Sequence, residues 1–408
     1  MRLLFISPNP PSIGRAGGAT ILYNYLKQLS IHHEVDLVTF QRSDEAVPAE
    51  ISDLLNRVVI FNDPDARTTA LNYAKGLFLG WPVAVSHYAS AEIQKEVADL
   101  MTHESYDVVI CQMTSTTQFV PRPIPCASVI MVEDPQSVKY RDTPPWPQHV
   151  LGKALTKVEI GRIEKYERRV WKEFDRIVML NPLDMAECQK LYPHAQFNWL
   201  AYGVDADYFA PRADVIREED KIIFSGTMNH PPNVAAIINF CDEIFPLIIA
   251  QRPSAHLWIV GSKPTPEVQA LAKRDPRIHV TGFVKDMRDY LLSATVSVCT
   301  VRLTYGAQTK VLEAMACGVP VVAISQANIG IGATPGKHLL IADTPTNFAA
   351  SVLKVLDDPI YRQTLSTQSR QFIETERSWP VITAKLEQLL QGLVNATPTL
   401  KLNAVVNG

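Results

Sequence analysis

The chain spells one pattern twice. Short apolar runs of strand length are separated by longer stretches in which apolar residues recur at helical spacing. That alternation predicts parallel α/β architecture. In the first half the strand-like runs fall at 3–6, 34–40, 58–61, 107–111, 127–132 and 176–180, with helical periodicity at 19–30, 91–103 and, in a long charged stretch, 152–173. The second half restarts with runs at 221–225, 256–260, 278–281, 296–300, 319–323 and 339–341, and helical stretches at 233–250, 286–293, 308–317 and 348–356. Between the halves, 203–220 carries Pro211 and a charged run and reads as a linker. The expectation is two Rossmann-like, doubly wound domains, 1–203 and 204–378, facing each other across a cleft. Helical pattern continues over 359–393, and the tail 395–408 reads as frayed.

The densest local signal runs from Tyr305 to Val322, YGAQTKVLEAMACGVPVV. Gly306 opens a turn, a helix runs from Gln308 to Cys317, Gly318 stops it, and 319–322 is an apolar run. At about 100° per residue, Val311, Leu312, Met315 and Ala316 share a face that packs on a sheet. Lys310, Glu313, Ala314 and Cys317 share the other, so a carboxylate and an ammonium stand one turn apart beside small residues. The N–H groups of Gly306, Ala307, Gln308 and Thr309 lie where a helix dipole favours a phosphate. An isolated Lys–Glu pair at this spacing is otherwise a surface ornament worth about 0.2–0.5 kcal/mol.

Leu312 to Val322 resembles, nearly residue for residue, the signature of the GT-B glycosyltransferases, in particular the retaining, nucleotide-sugar-dependent family 4. The resemblance runs from the N-terminal Gly-rich loop to the C-terminal helix. It is nearest to sugar transferases of bacterial exopolysaccharide clusters, through an FxGxM…PPN segment (Phe224 to Asn233) and a GxxxKVLEAMA segment (Gly306 to Ala316). It implies a GT-B architecture in which helix 379–394 crosses back to complete the first domain. It also implies transfer of a sugar from a nucleotide diphosphate sugar to an acceptor hydroxyl, in polysaccharide or glycoconjugate synthesis, with retention at the anomeric carbon. Glu313 would bind the ribose hydroxyls. The amides of Gly306 to Gln308, with Lys310, would hold the departing diphosphate. Phe283 and Val284, after Gly282, would hold the base. The co-substrate is the nucleotide sugar, with no metal or further cofactor, and the acceptor is a saccharide, a lipid-linked sugar or a small molecule. Three departures stand against this pattern. Tyr305 occupies the place of the first of two glutamates, the loop at Gly226 and Thr227 lacks the usual arginine, and Glu133 and Asp134 stand near the usual histidine. They leave open an unusual donor, an inverting enzyme, a non-catalytic binding protein, or a nucleotide-sugar epimerase of the same two-domain fold.

Read from the residues alone, the loop SPNPPSIGRAGGAT after the first strand carries Gly14, Gly17 and Gly18, which permit positive φ and a close backbone approach. It lacks the GxGxxG spacing of dinucleotide sites. Gly226 and Thr227 end the first strand of the second domain, with Asn233 as the candidate N-cap of the next helix. Gly261, closing run 256–260, reads as a turn residue. Lys310 is the remaining phosphate cation, with Arg302 behind it. Glu133 and Asp134, at the end of run 127–132, are adjacent acids suited to act as a base or to stabilise positive charge, while Asp134 before Pro135 also makes a turn.

Composition narrows the field. The 408 residues are 47% hydrophobic and 20% charged with net charge −3, which gives no sign of a nucleic-acid binder. Six dispersed cysteines without a CxxC pair read as reduced, buried side chains of a cytoplasmic protein, not as a zinc site or a disulfide framework. No run approaches the ~20 apolar residues of a membrane span, which leaves a peripheral contact with the membrane face open.

Overall fold

The computed structural model describes residues 1–13, 17–41, 46–147, 149–302 and 306–396. The chain divides into two compact units, Met1–Leu200 with Thr383–Gly408, and Ala201–Ile382.

The first unit is built on strands β1 (Arg2–Ser7), β2 (Glu34–Gln41), β3 (Arg57–Asn62), β4 (Val108–Gln112), β5 (Ala127–Val132), β6 (Arg176–Met179) and β7 (Phe197–Trp199). They pair in the order β3-β2-β1-β4-β5-β6-β7, all parallel, with Phe5 opposite Leu37 on one side and Ile110 on the other. β4 and β5 are buried along their whole length, as expected for central strands covered on both faces. The order reverses between β1 and β4, so the loops after these strands flank the switch point where open α/β sheets take ligands.

The second unit repeats the plan with β8 (Lys221–Ser225), β9 (His256–Val260), β10 (Ile278–Gly282), β11 (Val296–Cys299), β12 (Val321–Ala323) and β13 (Leu340–Ile341). The order is β10-β9-β8-β11-β12-β13, again all parallel, with the switch between β8 and β11. Every strand expected from the apolar runs is present. β7 is an addition: Phe-Asn-Trp is three residues long and half exposed, too short and too mixed to stand out. Helices Ala66–Leu79, Pro182–Leu191 and Pro266–Arg274 are further additions. Ala66–Leu79 buries only Gly76, so it has no apolar stripe to betray it, and its start is set by Asp65, which accepts the Thr68 N–H at 2.7 Å.

Two boundaries differ from those expected of the sequence. The last helix, Trp379–Ala396, stays regular through Ala396, so fraying does not begin at 395, and residues 397–408 lie outside the described ones. Helical structure is also continuous from Pro231 to Gln251, 21 residues that are long and apolar enough to cross a membrane by length and composition alone. Its apolar side, including Ile237, Phe240 and Ile248, is instead spent on the core of the second unit. Pro246 has no N–H to give the carbonyl four residues back, and the helix widens into a π turn over Phe240–Ile244 just before it. All six cysteines are buried, and none forms a disulfide among the described residues.

Candidate functional site

In the second unit the helix Thr309–Ala316 buries Val311, Leu312 and Met315. It ends in a Schellman motif: the Val319 N–H bonds the Ala314 carbonyl at 2.9 Å, and the Gly318 N–H bonds that of Met315 at 3.0 Å. Gly318 takes φ 66°, the left-handed conformation the motif needs. The opposite face is narrower than the spacing suggested. Ala314 and Cys317 are also buried, and only Lys310 and Glu313 keep part of their surface. The turn at Gly306 is real, with φ 69°. Gly330 backs it, since a side chain there would fall 2.8 Å from the Gly306 carbonyl oxygen and 3.3 Å from Ala307. Gln308 occupies the N-cap position without a side-chain bond to the helix, so the N-cap residue leaves the first N–H groups uncapped.

Lys310 is held in a specific place. Its Nζ donates to Asn233 Oδ1 at 2.7 Å and stands 4.9 Å from the centre of the Phe224 ring. Asn233 Nδ2 donates in turn to the Thr227 carbonyl at 3.0 Å. Asn233 is therefore not the N-cap expected from sequence. The helix starts two residues earlier at Pro231, whose fixed φ suits a first turn, and this frees the Asn233 amide to tie the Thr227 loop to the lysine. The ammonium and Asn233 converge over Gly226, where a Cβ would meet Lys310 Nζ at 2.8 Å and Asn233 Nδ2 at 2.9 Å. Gly261, expected to serve a turn alone, is a second close approach. With φ 151°, its missing Cβ would lie 1.7 Å from the Gly226 carbonyl oxygen.

Glu313, one turn from Lys310, is raised by desolvation, opposed by the Lys310 charge and by a hydrogen bond from Thr309. Desolvation lowers Lys310, opposed by Cys299 and Glu313. The two groups therefore sustain each other's charge in a partly dehydrated place. Phe283 stands 81% exposed on the Gly282 turn, with Val284 half-buried. Arg302 is exposed, and its charge acts on Asp343. Tyr305 lies outside the described residues, as does Gly14.

The first unit brings a different set together. Gln112, at the end of β4, donates through Nε2 to the Gly18 carbonyl at 2.8 Å and to Glu133 Oε1 at 2.6 Å. Its Oε1 accepts from Ser7 Oγ at 2.7 Å. Gly17, with φ 88°, starts the helix Gly18–Leu29, and a side chain on Gly18 would fall 2.5 Å from Glu133. The ends of β1, β4 and β5 thus converge on the helix start, with a carboxyl at the centre. Gln112 was missed from sequence; its signal was a polar residue closing an apolar parallel strand beside the switch point. The two adjacent acids separate in role. Glu133 joins this cluster, while Asp134 pairs with Lys139 Nζ at 2.7 Å beside the helix Gln136–Asp142.

Burial pushes Glu133 up to about 7, with Gln112 acting against the shift and Asp134 with it. Burial also raises Glu167, which accepts from Tyr192 Oη at 2.6 Å, to about 7. A carboxyl raised in the folded state contributes stability that is fully present below its unfolded value and lost as pH climbs through its folded one. For Glu133 the loss therefore falls between about 4.5 and about 7. Glu133→Gln is expected to flatten the fall in thermal midpoint across this window. The wild-type-minus-variant difference should reach about 1–2 kcal/mol, the full pKa gap being discounted for the solvent that reaches a half-buried group. Parallel melting curves for parent and variant from pH 4.5 to 8 would remove the carboxyl from this account.

Among the described residues, no group of three or more His, Cys, Asp or Glu side chains is placed to hold a metal ion.

Comparison with known proteins adds to this geometry. Residues 219–358 match the family described as "Glycosyl transferases group 1". Over 247 residues the chain is 27% identical to the GDP-mannose-dependent monoacylated alpha-(1-6)-phosphatidylinositol monomannoside mannosyltransferase of Corynebacterium glutamicum. That match covers 55% of this chain and 64% of the relative's length. Among solved structures, sucrose-phosphate synthase from Thermosynechococcus elongatus superposes with a TM-score of 0.70 at 17% identity, over 97% of this chain and 100% of that one. HepE of Anabaena, in complex with UDP, superposes with a TM-score of 0.66 at 13% identity, over 96% and 100%. The chain therefore has the GT-B fold, with two Rossmann-like units, and its residues 219–358 are related to the group 1 glycosyltransferases.

Proposed function

We propose that this protein transfers a sugar from a nucleoside diphosphate sugar to an acceptor hydroxyl without a metal. The observation that carries the reading is the Lys310–Glu313 pair, one turn apart at the start of a helix whose N-cap side chain, Gln308, does not cap it. In this reading Glu313 accepts from the ribose hydroxyls. The amides after Gly306 take the diphosphate, and Lys310, aimed by Asn233, opposes the charge that grows on the leaving phosphate. The match of 219–358 to group 1 glycosyltransferases and the UDP-bound HepE structure support a donor site in this unit.

A second reading concerns the stereochemical course. Glu133, held near pH 7 by its burial, has the proton affinity of a general base for the acceptor hydroxyl, which would favour inversion.

One experiment addresses both. A thermal-shift panel of UDP-, GDP-, ADP- and TDP-sugars identifies the donor. A ligand at a hundredfold its Kd should stabilise the protein by about 2.7 kcal/mol. Product analysis by NMR with the best donor then reads the anomeric configuration. Absence of any shift at millimolar donor would end the proposal. Binding without turnover would point to a non-catalytic protein, and conversion of donor without acceptor to an epimerase.

A further inference from the structure

Among the described residues, the first unit carries an unpartnered face that the donor chemistry does not use. The helix Val150–Val170 buries one narrow arc, through Gly152, Thr156, Glu159, Ile163, Tyr166 and Val170. Its solvent side changes character along its length. The first half exposes Val150 (88%), Leu151 (64%), Leu155 and Val158, while the second half exposes Lys165, Arg168 and Arg169, with Lys172 just beyond. Lys153 and Lys157 border the apolar stripe. None of these six cations forms an ion pair among the described residues, and the acids of the helix turn away. Glu159 and Glu167 are buried, and Glu164 is taken by Arg141 at 2.6 Å.

The same unit exposes a second apolar surface. The Val83 N–H donates to Glu159 Oε1 at 2.6 Å, which ties the short helix Val83–His87 to the middle of the long one, and the helix Ala66–Leu79 ends four residues before Val83. That end exposes Leu77 (63%) and Phe78 (91%). At the other end, Lys165, Arg168, Arg169 and Lys172 join Lys190 and His194 around a groove of about 670 Å³.

We infer that this face docks the protein on an anionic lipid bilayer, with the Leu151–Leu155 stripe and Phe78 entering the acyl boundary and the basic groove on the headgroups. Charge and shape favour a bilayer over a protein partner. The stripe is aliphatic, bordered by long lysine stems that lay their methylenes on lipid while their ammonium groups reach phosphate. Protein interfaces instead deplete lysine and enrich aromatic side chains. Each cation near such a surface contributes roughly fivefold in affinity, so the unpaired set here is ample for reversible attachment. Neither helix contributes a residue to the cluster around Lys310 and Glu313, so the inference stands or falls apart from the proposed reaction.

The test is co-sedimentation of the full chain with vesicles of phosphatidylcholine alone or with about one-third phosphatidylglycerol, at low and high salt. Binding should require the anionic lipid, at least tenfold over phosphatidylcholine, and should fall with salt. Leu151→Glu with Leu155→Glu, and separately Arg168→Glu with Lys172→Glu, should each weaken it about tenfold or more. Because all four positions are exposed, melting temperatures should match the parent. The inference is overturned by a protein that stays in the supernatant, that pellets equally with both vesicles, or that keeps full binding in both variants. It is also overturned if ultracentrifugation shows a dimer that the Leu151→Glu/Leu155→Glu variant dissociates, since a second copy would then cover the face.

Discussion

Glu313→Ala is expected to weaken nucleotide binding about a hundredfold by titration calorimetry while leaving the circular dichroism spectrum unchanged. The carboxylate is partly desolvated, yet Lys310 and the Thr309 hydroxyl oppose the upward shift that burial imposes. An anion so held is prepared to accept two neighbouring hydroxyls of a ribose. Hydrogen bonds to a charged group contribute about 1.5–3 kcal/mol each, and a hundredfold corresponds to about 2.7 kcal/mol, so the loss of one good bond and part of a second accounts for it. Glu313→Gln keeps the shape and one acceptor oxygen but not the charge, and about a tenfold loss is expected. The fold is safe from either change because the helix is anchored through Val311, Leu312 and Met315 on its other face. An alanine variant that titrates like the parent would refute the role given to this residue.

Lys310→Ala acts on a different quantity. Turnover should drop about a hundredfold with donor affinity changed only a few-fold, because the ammonium opposes charge that is greatest in the transition state. Burial already lowers the lysine, and an arriving diphosphate favours its charged form. Arginine is not expected to rescue it. The Nζ lies against Gly226, where even one added carbon would come within 2.8 Å, and a planar guanidinium needs more room than that. Single-turnover kinetics separate the two effects. A variant with the parental rate would take Lys310 out of the reaction, and a pure affinity loss would make it a binding residue.

Much of this was legible because parallel strands buried on both faces must be written as unbroken apolar runs, and the glycine after a helix must be written where its end turns left-handed. The strand and helix around Glu313 were readable for that reason. So was the spacing that set Lys310 beside it. Partners brought together across the chain could not be read. Asn233 looked like a cap because local sequence knows nothing of a lysine 77 residues away. Gln112 carried no motif, since its importance comes from meeting Gly18, Glu133 and Ser7 at the ends of neighbouring elements. The Glu133–Asp134 dipeptide looked symmetrical and is not. Alternate residues of a strand end point to opposite sides, so one acid met the Gly18 helix and the other met Lys139.

The contact between Gly261 and Gly226 leaves room for hydrogen atoms and nothing else. The two loops are also stitched by the Gly226 N–H to Val260, the Met228 N–H to Ser262 and the Thr265 N–H to Met228, at 3.0, 2.8 and 3.3 Å. They therefore behave mechanically as one toothed part. Any shift at the end of β9 is geared through the Thr227 carbonyl to Asn233 and so to the lysine ammonium. The aim of a single charge is set by three stretches of chain far apart in sequence, and natural variation at the Gly261 turn is expected to move that ammonium.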